Sequence, residues 1–282
     1  MKKILPILAS ILLIAGVYLF EKEGPTSNGT VIEAINNGSF DESERYEIPR
    51  FSQATTYDQL LCRYSYTTSY NSSTRNPNWV GWVLTDDHLD GPFARKGHYF
   101  VEDKDVPEPR AVYSDIREGE CGYQRGHLCP AADNKWAQEA QDDAFLMTNI
   151  SPQNGDLNQR DWKYLEDQCR RWAAEYGKIY IVAGPIFYTT NYSTVGENRV
   201  AVPDAFFKVV LAYNGTQPQS IGFIYPNEEG HRPMTDYAHS IDYVEEATGL
   251  DFFYQLDDNI EVPLEANTDF TTWTFPKEKT RR

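Results

Sequence analysis

The chain has 282 residues, which is enough for one large domain or two small ones, and we favour one. A hydrophobic fraction of 40% and an aromatic fraction of 14% exclude a wholly disordered chain, although both ends lack the apolar residues that a core needs. A net charge of -16 speaks against long-range attraction to nucleic acid, because Lys and Arg bind phosphates. It does not exclude a local phosphate site, where a divalent metal can supply positive charge.

The N-terminal segment is typical of export. Lys2 and Lys3 precede an apolar run over residues 4–20, and Glu21-Lys22-Glu23 follows it. No small-x-small cleavage site follows the run, whose length is close to the ~17 residues that just span a bilayer. A cleaved signal peptide and an uncleaved membrane anchor over residues 1–23 therefore both stay open. Positive residues before the run place the rest of the chain outside the cytoplasm, where it is secreted, periplasmic or anchored in the membrane.

Composition divides the rest of the chain into a spacer, a domain and a tail. Residues 24–47 are rich in Gly, Asn, Ser, Glu and Asp and predict a flexible spacer. A single domain is expected over residues 48–276, followed by a charged tail over residues 277–282.

Apolar patterns predict both strands and helices within the domain. Trp162, Leu165, Cys169, Trp172 and Tyr176 form a stripe of helical period that ends at Gly177. The other predicted helices cover residues 137–147 and 241–248, and the predicted strands cover residues 60–70 and 78–84, which pair as a hairpin, then 178–187, 205–213, 220–225 and 252–253. These elements predict an α+β fold with a central antiparallel sheet flanked by helices.

Four cysteines suit an oxidising compartment, namely Cys62, Cys121, Cys129 and Cys169. Their spacings match no zinc site, and they allow three disulfide pairings that sequence alone does not separate. We favour a bond between Cys129 and Cys169, because it would join the loop after His127 to the predicted helix. The alternative is that these thiols are small buried residues.

The middle of the chain holds residues suited to phosphodiester hydrolysis, which needs an activated water, positive charge on the phosphoryl oxygens and a stabilised leaving oxygen. Strand alternation places Arg125 and His127 on one face, so a histidine with a pKa of about 6.5 can accept a proton beside a fixed cation. Asn158 and Glu166 offer hard oxygen ligands for Mg²⁺, and Arg170 can orient Glu166 or reach phosphate. Each residue also has an ordinary structural role, so their order and spacing carry the hypothesis.

The same segment resembles a known family. Gln-Arg-Gly-His-Leu, Asn-Ile-Ser-Pro-Gln and Leu-Asn-Gln-x-x-Trp-x-x-Leu-Glu resemble the signature of the DNA/RNA non-specific endonucleases, which are ββα-metal nucleases, and the resemblance covers residues 60–253. It implies that His127 is the general base, that Asn158 directly binds Mg²⁺ or alternatively Mn²⁺, and that Glu166 holds the metal through water. It also implies DNA and RNA substrates and products with 5′-phosphate ends. Further residues implied to line the site are Arg125, Asn149 and Arg170.

Three residues qualify this resemblance. Gln124 stands where the family usually has Asp, and it keeps a hydrogen bond but not the negative charge, so we expect a lower rate or a moved pH dependence and not an inactive enzyme. Arg95 is a candidate contact for substrate phosphate, with solvated surface as the alternative. Trp136 is a candidate for stacking on a base, with core packing as the alternative.

These observations predict an exported, Mg²⁺-dependent endonuclease that hydrolyses DNA and RNA with little sequence specificity. No motif for reading base edges is present in the sequence, which fits backbone recognition. A membrane is a further partner if the N-terminal segment stays uncleaved. Two alternatives stay open: a phosphodiesterase for smaller nucleotides, and a non-catalytic nucleic-acid-binding or structural protein on the same fold, weakened by Gln124 and by acidic repulsion.

Overall fold

The structure is a computed structural model that describes residues 44–51, 59–117, 119–215, 217–230 and 232–276. The predicted export segment, most of the predicted spacer and the predicted tail lie outside the described residues. Within the part of the chain that the structure describes, no helix has both the length and the apolar character needed to cross a bilayer.

The described residues form thirteen β-strands and four α-helices. The strands are β1 (Arg50–Phe51), β2 (Gln59–Cys62), β3 (Thr67–Asn71), β4 (Asn76–Thr85), β5 (Gln124–His127), β6 (Ile150–Gln153), β7 (Lys178–Ile186), β8 (Thr194–Val195), β9 (Val200–Ala201), β10 (Ala205–Ala212), β11 (Gln219–Pro226), β12 (Ala238–His239) and β13 (Leu250–Asp251). The α-helices are α1 (Gln138–Ala144), α2 (Trp162–Tyr176), α3 (Ile241–Thr248) and α4 (Asp258–Glu265).

Seven of these strands form one antiparallel sheet in the order β12-β11-β10-β7-β4-β3-β2. Strands β7 and β10 lie at its centre and are buried along almost their whole length, as expected for strands covered on both faces. Phe206 packs in the cluster under α2, whereas Phe207 packs in the cluster on the opposite face with residues of α3 and α4. The predicted α+β fold with a central antiparallel sheet is confirmed.

A separate hairpin of β5 and β6 leads into α2. Gln124 pairs with Gln153 and His127 pairs with Ile150. Glycine is required at position 126, because a Cβ there would lie 2.3 Å from the side-chain oxygen of Gln153. A π-helical turn, Leu157–Asp161, joins this hairpin to α2 and completes a ββα unit on one face of the large sheet.

Several elements differ from the prediction. The run over residues 60–70 contains two strands, so the hairpin is formed by β3 and β4. The strand predicted at 252–253 is wrong: β13 pairs with β1 two residues earlier, and both phenylalanine rings are buried in the core. Helix α4 has no counterpart among the predicted elements, since Pro263 inside it is typical of a helix break. The packed chain also begins before residue 48, because Tyr46 contacts Tyr180 with ring centroids 5.0 Å apart.

The predicted disulfide between Cys129 and Cys169 is wrong, because all four cysteines are free thiols. Both residues are buried in the cluster under α2, where burial raises the pKa of the Cys129 thiol and raises that of Cys169 to about 12. Asn134 Nδ2 donates a hydrogen bond to Cys129 Sγ at 3.3 Å. These two cysteines therefore act as small buried residues, which was the alternative.

Candidate active site

Strand β5 presents Arg125 and His127 on the same face. The Phe100 ring lies against both: its centroid is 5.2 Å from that of the His127 ring and 5.1 Å from Arg125 Cζ. Gly126, between them, faces the other way toward Gln153. The alternation expected from the sequence is therefore present at the site.

His127 is held as a buried, neutral imidazole. Its side chain packs against Phe100 and meets the Phe145 ring edge-on at 5.3 Å, and the residue is only 7% exposed. Burial, reinforced by the nearby Arg95 guanidinium, lowers the pKa of His127 to about 3. Its Nε2 is buried and has no hydrogen-bond partner among the described residues.

The backbone of His127 is anchored to the helix. Trp162 Nε1, at the first position of α2, donates a hydrogen bond to the His127 carbonyl oxygen at 3.1 Å. Trp162 is fully buried against Phe206 of the sheet. The position of the imidazole is thus fixed from two sides, by the β5–β6 pairing and by the helix that carries the proposed metal ligands.

Asn158 lies in the π-helical turn and is oriented by Gln124. Asn158 Nδ2 donates to Gln124 Oε1 at 2.8 Å, which leaves Asn158 Oδ1 without a hydrogen-bond donor among the described residues. The helix-capping role belongs to Asn154, whose Oδ1 accepts from the backbone N–H groups of Asp156 and Leu157 at 2.9 and 3.3 Å. The ordinary reading of Asn158 as a cap does not apply, and single π turns occur often at functional sites.

Glu166 lies two helical turns further along, on α2. No hydrogen bond reaches its carboxylate from any residue that the structure describes, and it is not a member of the ion pairs there. Burial raises the pKa of Glu166 to about 7, against the opposing effect of the nearby Lys208 and Arg170 cations. A carboxylate in this state gains from a positive charge placed beside it.

Arg170 and Asp133 form a buried ion pair next to Glu166. Arg170 Nη1 donates to Asp133 Oδ1 at 2.6 Å, and its Nη2 donates to Asp167 Oδ1 at 2.5 Å. Trp82 Nε1 donates to the second oxygen of Asp133 at 3.1 Å. Arg170 is therefore engaged by two aspartates, and its geometry fits positioning of α2 more closely than contact with substrate.

Lys208 is a site residue that the sequence pattern did not reveal. It lies on β10 between Phe206 and Val210, points to the α2 face and is fully buried. Its Nζ lies 4.7 Å and 4.5 Å from the ring centroids of Trp82 and Trp162, with no hydrogen-bond partner among the described residues. Its positive charge acts to lower the pKa of Glu166. The sequence feature that could have pointed to Lys208 is a lysine inside an otherwise apolar strand.

Asn149 does not line the surface of the site. Its side chain is fully buried and bonds only backbone: Oδ1 accepts from the Cys129 N–H at 2.9 Å, and Nδ2 donates to the carbonyl oxygens of Cys129 and Ala144 at 2.8 and 2.9 Å. Asn149 therefore holds the segment that follows His127 and is a positioning residue.

Two arginines approach the face of His127. Arg125 Cζ lies 4.2 Å from the Tyr113 ring centroid, and its Nη1 donates to the Ile116 carbonyl oxygen, which fixes the guanidinium. Arg95 is exposed, lies over the Phe145 ring at 5.7 Å and has no ion pair in the described chain. Arg95 therefore has the free charge that contact with a phosphate needs.

Trp136 belongs to a half-buried aromatic cluster at the surface. Its ring stacks on His88 with centroids 3.9 Å apart and lies 5.5 Å from the Tyr64 ring. No contact with His127 or Asn158 is present among the described residues, so the structure leaves base stacking by Trp136 a prediction.

The residues present fit a divalent cation. The free amide oxygen of Asn158 and the unpartnered carboxylate of Glu166 are both hard oxygen donors, and both lie on the helical arm of the ββα unit. The hydrogen bond from Asn158 to Gln124 fixes which amide atom is offered. A histidine on the β5–β6 pair and oxygen donors on the helical arm are the arrangement of the ββα-metal hydrolases.

Comparison with known proteins gives the family. The family model described as DNA/RNA non-specific endonuclease matches residues 47–259, and the chain belongs to this family of metal-dependent nucleases. It is 37% identical over 226 residues to Nuclease C1 of Cunninghamella echinulata var. echinulata, covering 74% of this chain and 88% of that protein. It is 34% identical over 224 residues to the mitochondrial endonuclease G of Homo sapiens, covering 75% of this chain and 73% of that protein.

A solved structure supports the same assignment. The crystal structure of the EndoG/EndoGI complex is similar with a TM-score of 0.70 and 25% identity, covering 85% of this chain and 96% of that chain. The chain is therefore a nuclease of the hydrolase class, with nucleic acid as its substrate.

Proposed function

We propose that this nuclease is an exported endonuclease that uses Mg²⁺, or alternatively Mn²⁺, to hydrolyse DNA and RNA with little sequence specificity. One observation supports this proposal most directly. Gln124 and His127, at the two ends of β5, are each hydrogen-bonded to the helical arm that carries Asn158 and Glu166. The base and the proposed metal ligands are therefore fixed relative to each other before substrate arrives.

The proposed reaction begins with proton transfer to His127. The neutral imidazole takes a proton from water as the water oxygen bonds to phosphorus, and the bond from phosphorus to the 3′ oxygen breaks. The phosphate then stays on the 5′ side, which gives the proposed 5′-phosphate ends. A divalent cation held by Asn158 Oδ1 and, through water, by Glu166 would supply positive charge to the phosphoryl and leaving oxygens.

Cationic side chains complete the proposed substrate contacts. Arg125 is preorganised by Tyr113 and Ile116 beside His127, and Arg95 is exposed at the same face. Arg170 acts through Asp133 and Asp167 and holds α2 in place. Since the net charge is -16, a few local arginines must outweigh general repulsion, and we expect cleavage to slow as salt screens them.

Export is proposed from the N-terminal pattern alone, and residues 1–23 serve either as a cleaved signal or as a membrane anchor. The mature protein would then work outside the cytoplasm. N-terminal sequencing of the protein recovered from its producing cells distinguishes the two forms, and recovery from the cytoplasmic fraction alone contradicts export.

The central experiment is nicking of supercoiled plasmid by the full chain with Mg²⁺, with and without a chelator. We expect His127→Ala to abolish nicking, whereas His88→Ala, a matched histidine that stacks on Trp136, should retain it. Parallel reactions on single-stranded DNA and RNA test the substrate range, and end-labelling after phosphatase treatment tests the 5′-phosphate. Equal activity of wild type and His127→Ala, or activity that survives the chelator, would overturn the proposal.

A further inference from the structure

Five carboxylates converge on the face of the sheet opposite α2. Asp242 and Glu245 lie on α3, Asp251 lies on β13, and Glu261 and Glu265 lie on α4. Oxygens of Asp242, Glu245 and Glu265 lie within 4.8 Å of one another, and so do oxygens of Asp251, Glu261 and Glu265. Because Glu265 belongs to both groups, we call the five residues together the α3–α4 acidic cluster.

Glu265 sets this cluster apart from ordinary surface acids. It is only 7% exposed, and its Oε1 is buried with no hydrogen-bond partner among the described residues. Its neighbours are better satisfied, because Glu245 Oε1 accepts from the Phe252 N–H at 2.7 Å and Asp251 Oδ2 accepts from Arg50 Nε at 2.7 Å. An unpaired carboxylate oxygen buried among like charges is costly unless a proton or a cation joins it.

The charges that raise the pKa of Glu265 all come from neighbouring carboxylates of the described chain. Burial, followed by the charges of Glu245 and Glu261, raises the pKa of Glu265 to about 9. Arg50 is bound to Asp251 at the edge of the cluster and acts on Glu261, and it does not bond Glu265. The cluster therefore lacks internal compensation at its buried centre.

We propose that the α3–α4 acidic cluster binds one divalent cation, with Ca²⁺ as the preferred ion, at a site separate from the catalytic centre. Ca²⁺ takes six to eight oxygen ligands at about 2.3–2.6 Å, so two oxygens bound to one ion lie at most roughly 5 Å apart. The oxygens of each group lie within 4.8 Å of one another, which agrees with this limit. Mg²⁺ holds its waters and demands octahedral geometry, so it fits a group of several carboxylates less well.

The bound ion would link three segments that are distant in sequence. Ile241 and Val244 of α3, Leu250 of β13 and Leu264 of α4 pack in one apolar cluster against the sheet. A cation between their carboxylates would remove the repulsion that opposes this packing. Its effect is on the stability of the fold, and it does not depend on the proposed nuclease mechanism.

The test is thermal unfolding of the full chain in metal-free buffer, with ~1 mM CaCl₂ or with NaCl of equal ionic strength. Asn158→Ala is the common background, so that Ca²⁺ at the catalytic centre does not contribute. With an affinity near ~10⁻⁴ M, we expect Ca²⁺ to raise the Tm by about 3–6 °C. Calorimetric titration with Ca²⁺ should show one site.

Two ligand variants and one matched control locate the ion. Glu265→Gln and Glu261→Gln should lose the Ca²⁺ shift and the calorimetric site. Without Ca²⁺, Glu265→Gln should unfold at a higher temperature than its parent at neutral pH, because glutamine is neutral without having to take up a proton on folding. Glu246→Gln removes the same charge from an exposed position of α3 outside the cluster and should keep the shift. An equal shift with NaCl, no shift with Ca²⁺, or a shift retained by Glu265→Gln would overturn the proposal.

Discussion

Gln124 is predicted to set the affinity of the catalytic metal through Asn158. Its Oε1 accepts the Asn158 Nδ2 hydrogen bond at 2.8 Å, and this contact fixes which atom of the Asn158 amide is left for a metal. Gln124→Leu keeps the approximate size of the side chain and removes the acceptor. Asn158 would then be free to rotate and to present nitrogen in place of oxygen, which a divalent cation does not bind.

The size of the effect follows from the kind of hydrogen bond that is lost. A neutral hydrogen bond contributes about 1 kcal/mol, so Gln124→Leu should weaken metal binding roughly fivefold. Gln124→Glu keeps the reach of the side chain and makes the bond charge-assisted, which is roughly twice as strong, so metal binding should tighten. Gln124→Asp introduces the residue usual in the family with one methylene less, and it should raise the rate at low metal if the shorter side chain still contacts Asn158.

The assay is calorimetric titration with Mg²⁺ or Mn²⁺, combined with plasmid nicking over a series of metal concentrations. Gln138→Leu is the control, because Gln138 is an exposed glutamine of α1 that bonds only Asp142 on its own helix. Metal affinity and rate should follow the order Glu, Gln, Leu at position 124. If Gln124→Leu binds metal as tightly as wild type and nicks at the same rate, Gln124 does not orient the ligand.

Three further predictions concern His127, Lys208 and Asn149. The pKa of His127 is about 3 in the folded protein and about 6.5 in the unfolded chain, so the unfolded chain binds more protons between these pH values. The free energy of unfolding should therefore fall as the pH drops below 6.5, by at most about 1.4 kcal/mol per pH unit. Urea unfolding of His127→Gln should show a smaller fall over the same pH range. Lys208→Met removes a cation that favours ionised Glu166, so metal binding should weaken near neutral pH and recover at higher pH in calorimetric titrations; equal affinity at both pH values would contradict the charge coupling. Asn149→Ala leaves buried backbone groups unpaired and should lower the free energy of unfolding by roughly 2–4 kcal/mol in the same urea assay. A loss below about 1 kcal/mol would show that these three hydrogen bonds are not needed to hold the segment after His127.

The spacing of apolar and polar residues was enough to predict one helix and one strand face of this fold. The stripe from Trp162 to Tyr176 specifies α2, and the alternation along β5 specifies the shared face of Arg125 and His127. Where tertiary contacts decide, the same reasoning failed. The apolar pair Phe252 and Phe253 was predicted as a strand, although β13 ends before it. Helix α4 was not predicted, because Pro263 inside it is typical of a helix break.

The site shows the same division between local pattern and tertiary contact. Motif spacing predicted Asn158 as a metal ligand, and only the structure shows that Asn154 takes the capping role and that Gln124 bonds the Asn158 amide. Disulfide pairing was the least predictable feature, because burial and a partner such as Asn134 can satisfy Cys129 as a thiol. Pairing of cysteines is a question of three-dimensional distance, which spacing along the chain does not supply.

The charges beneath the site explain how an acidic protein can hold a cation and a polyanion in one place. Lys208 and Arg170 are the cations near Glu166, and their charges offset part of the cost of burying the Glu166 carboxylate. Neither cation forms a hydrogen bond with this carboxylate in the described chain. Arg95 and Arg125 lie near His127, where substrate phosphate would bind in the proposed mechanism. Positive charge is thus placed beside Glu166 and near His127, while part of the excess negative charge lies in the α3–α4 acidic cluster on the opposite face of the sheet. Local field and net charge are separate properties, and the local field decides whether a phosphodiester can bind at this site.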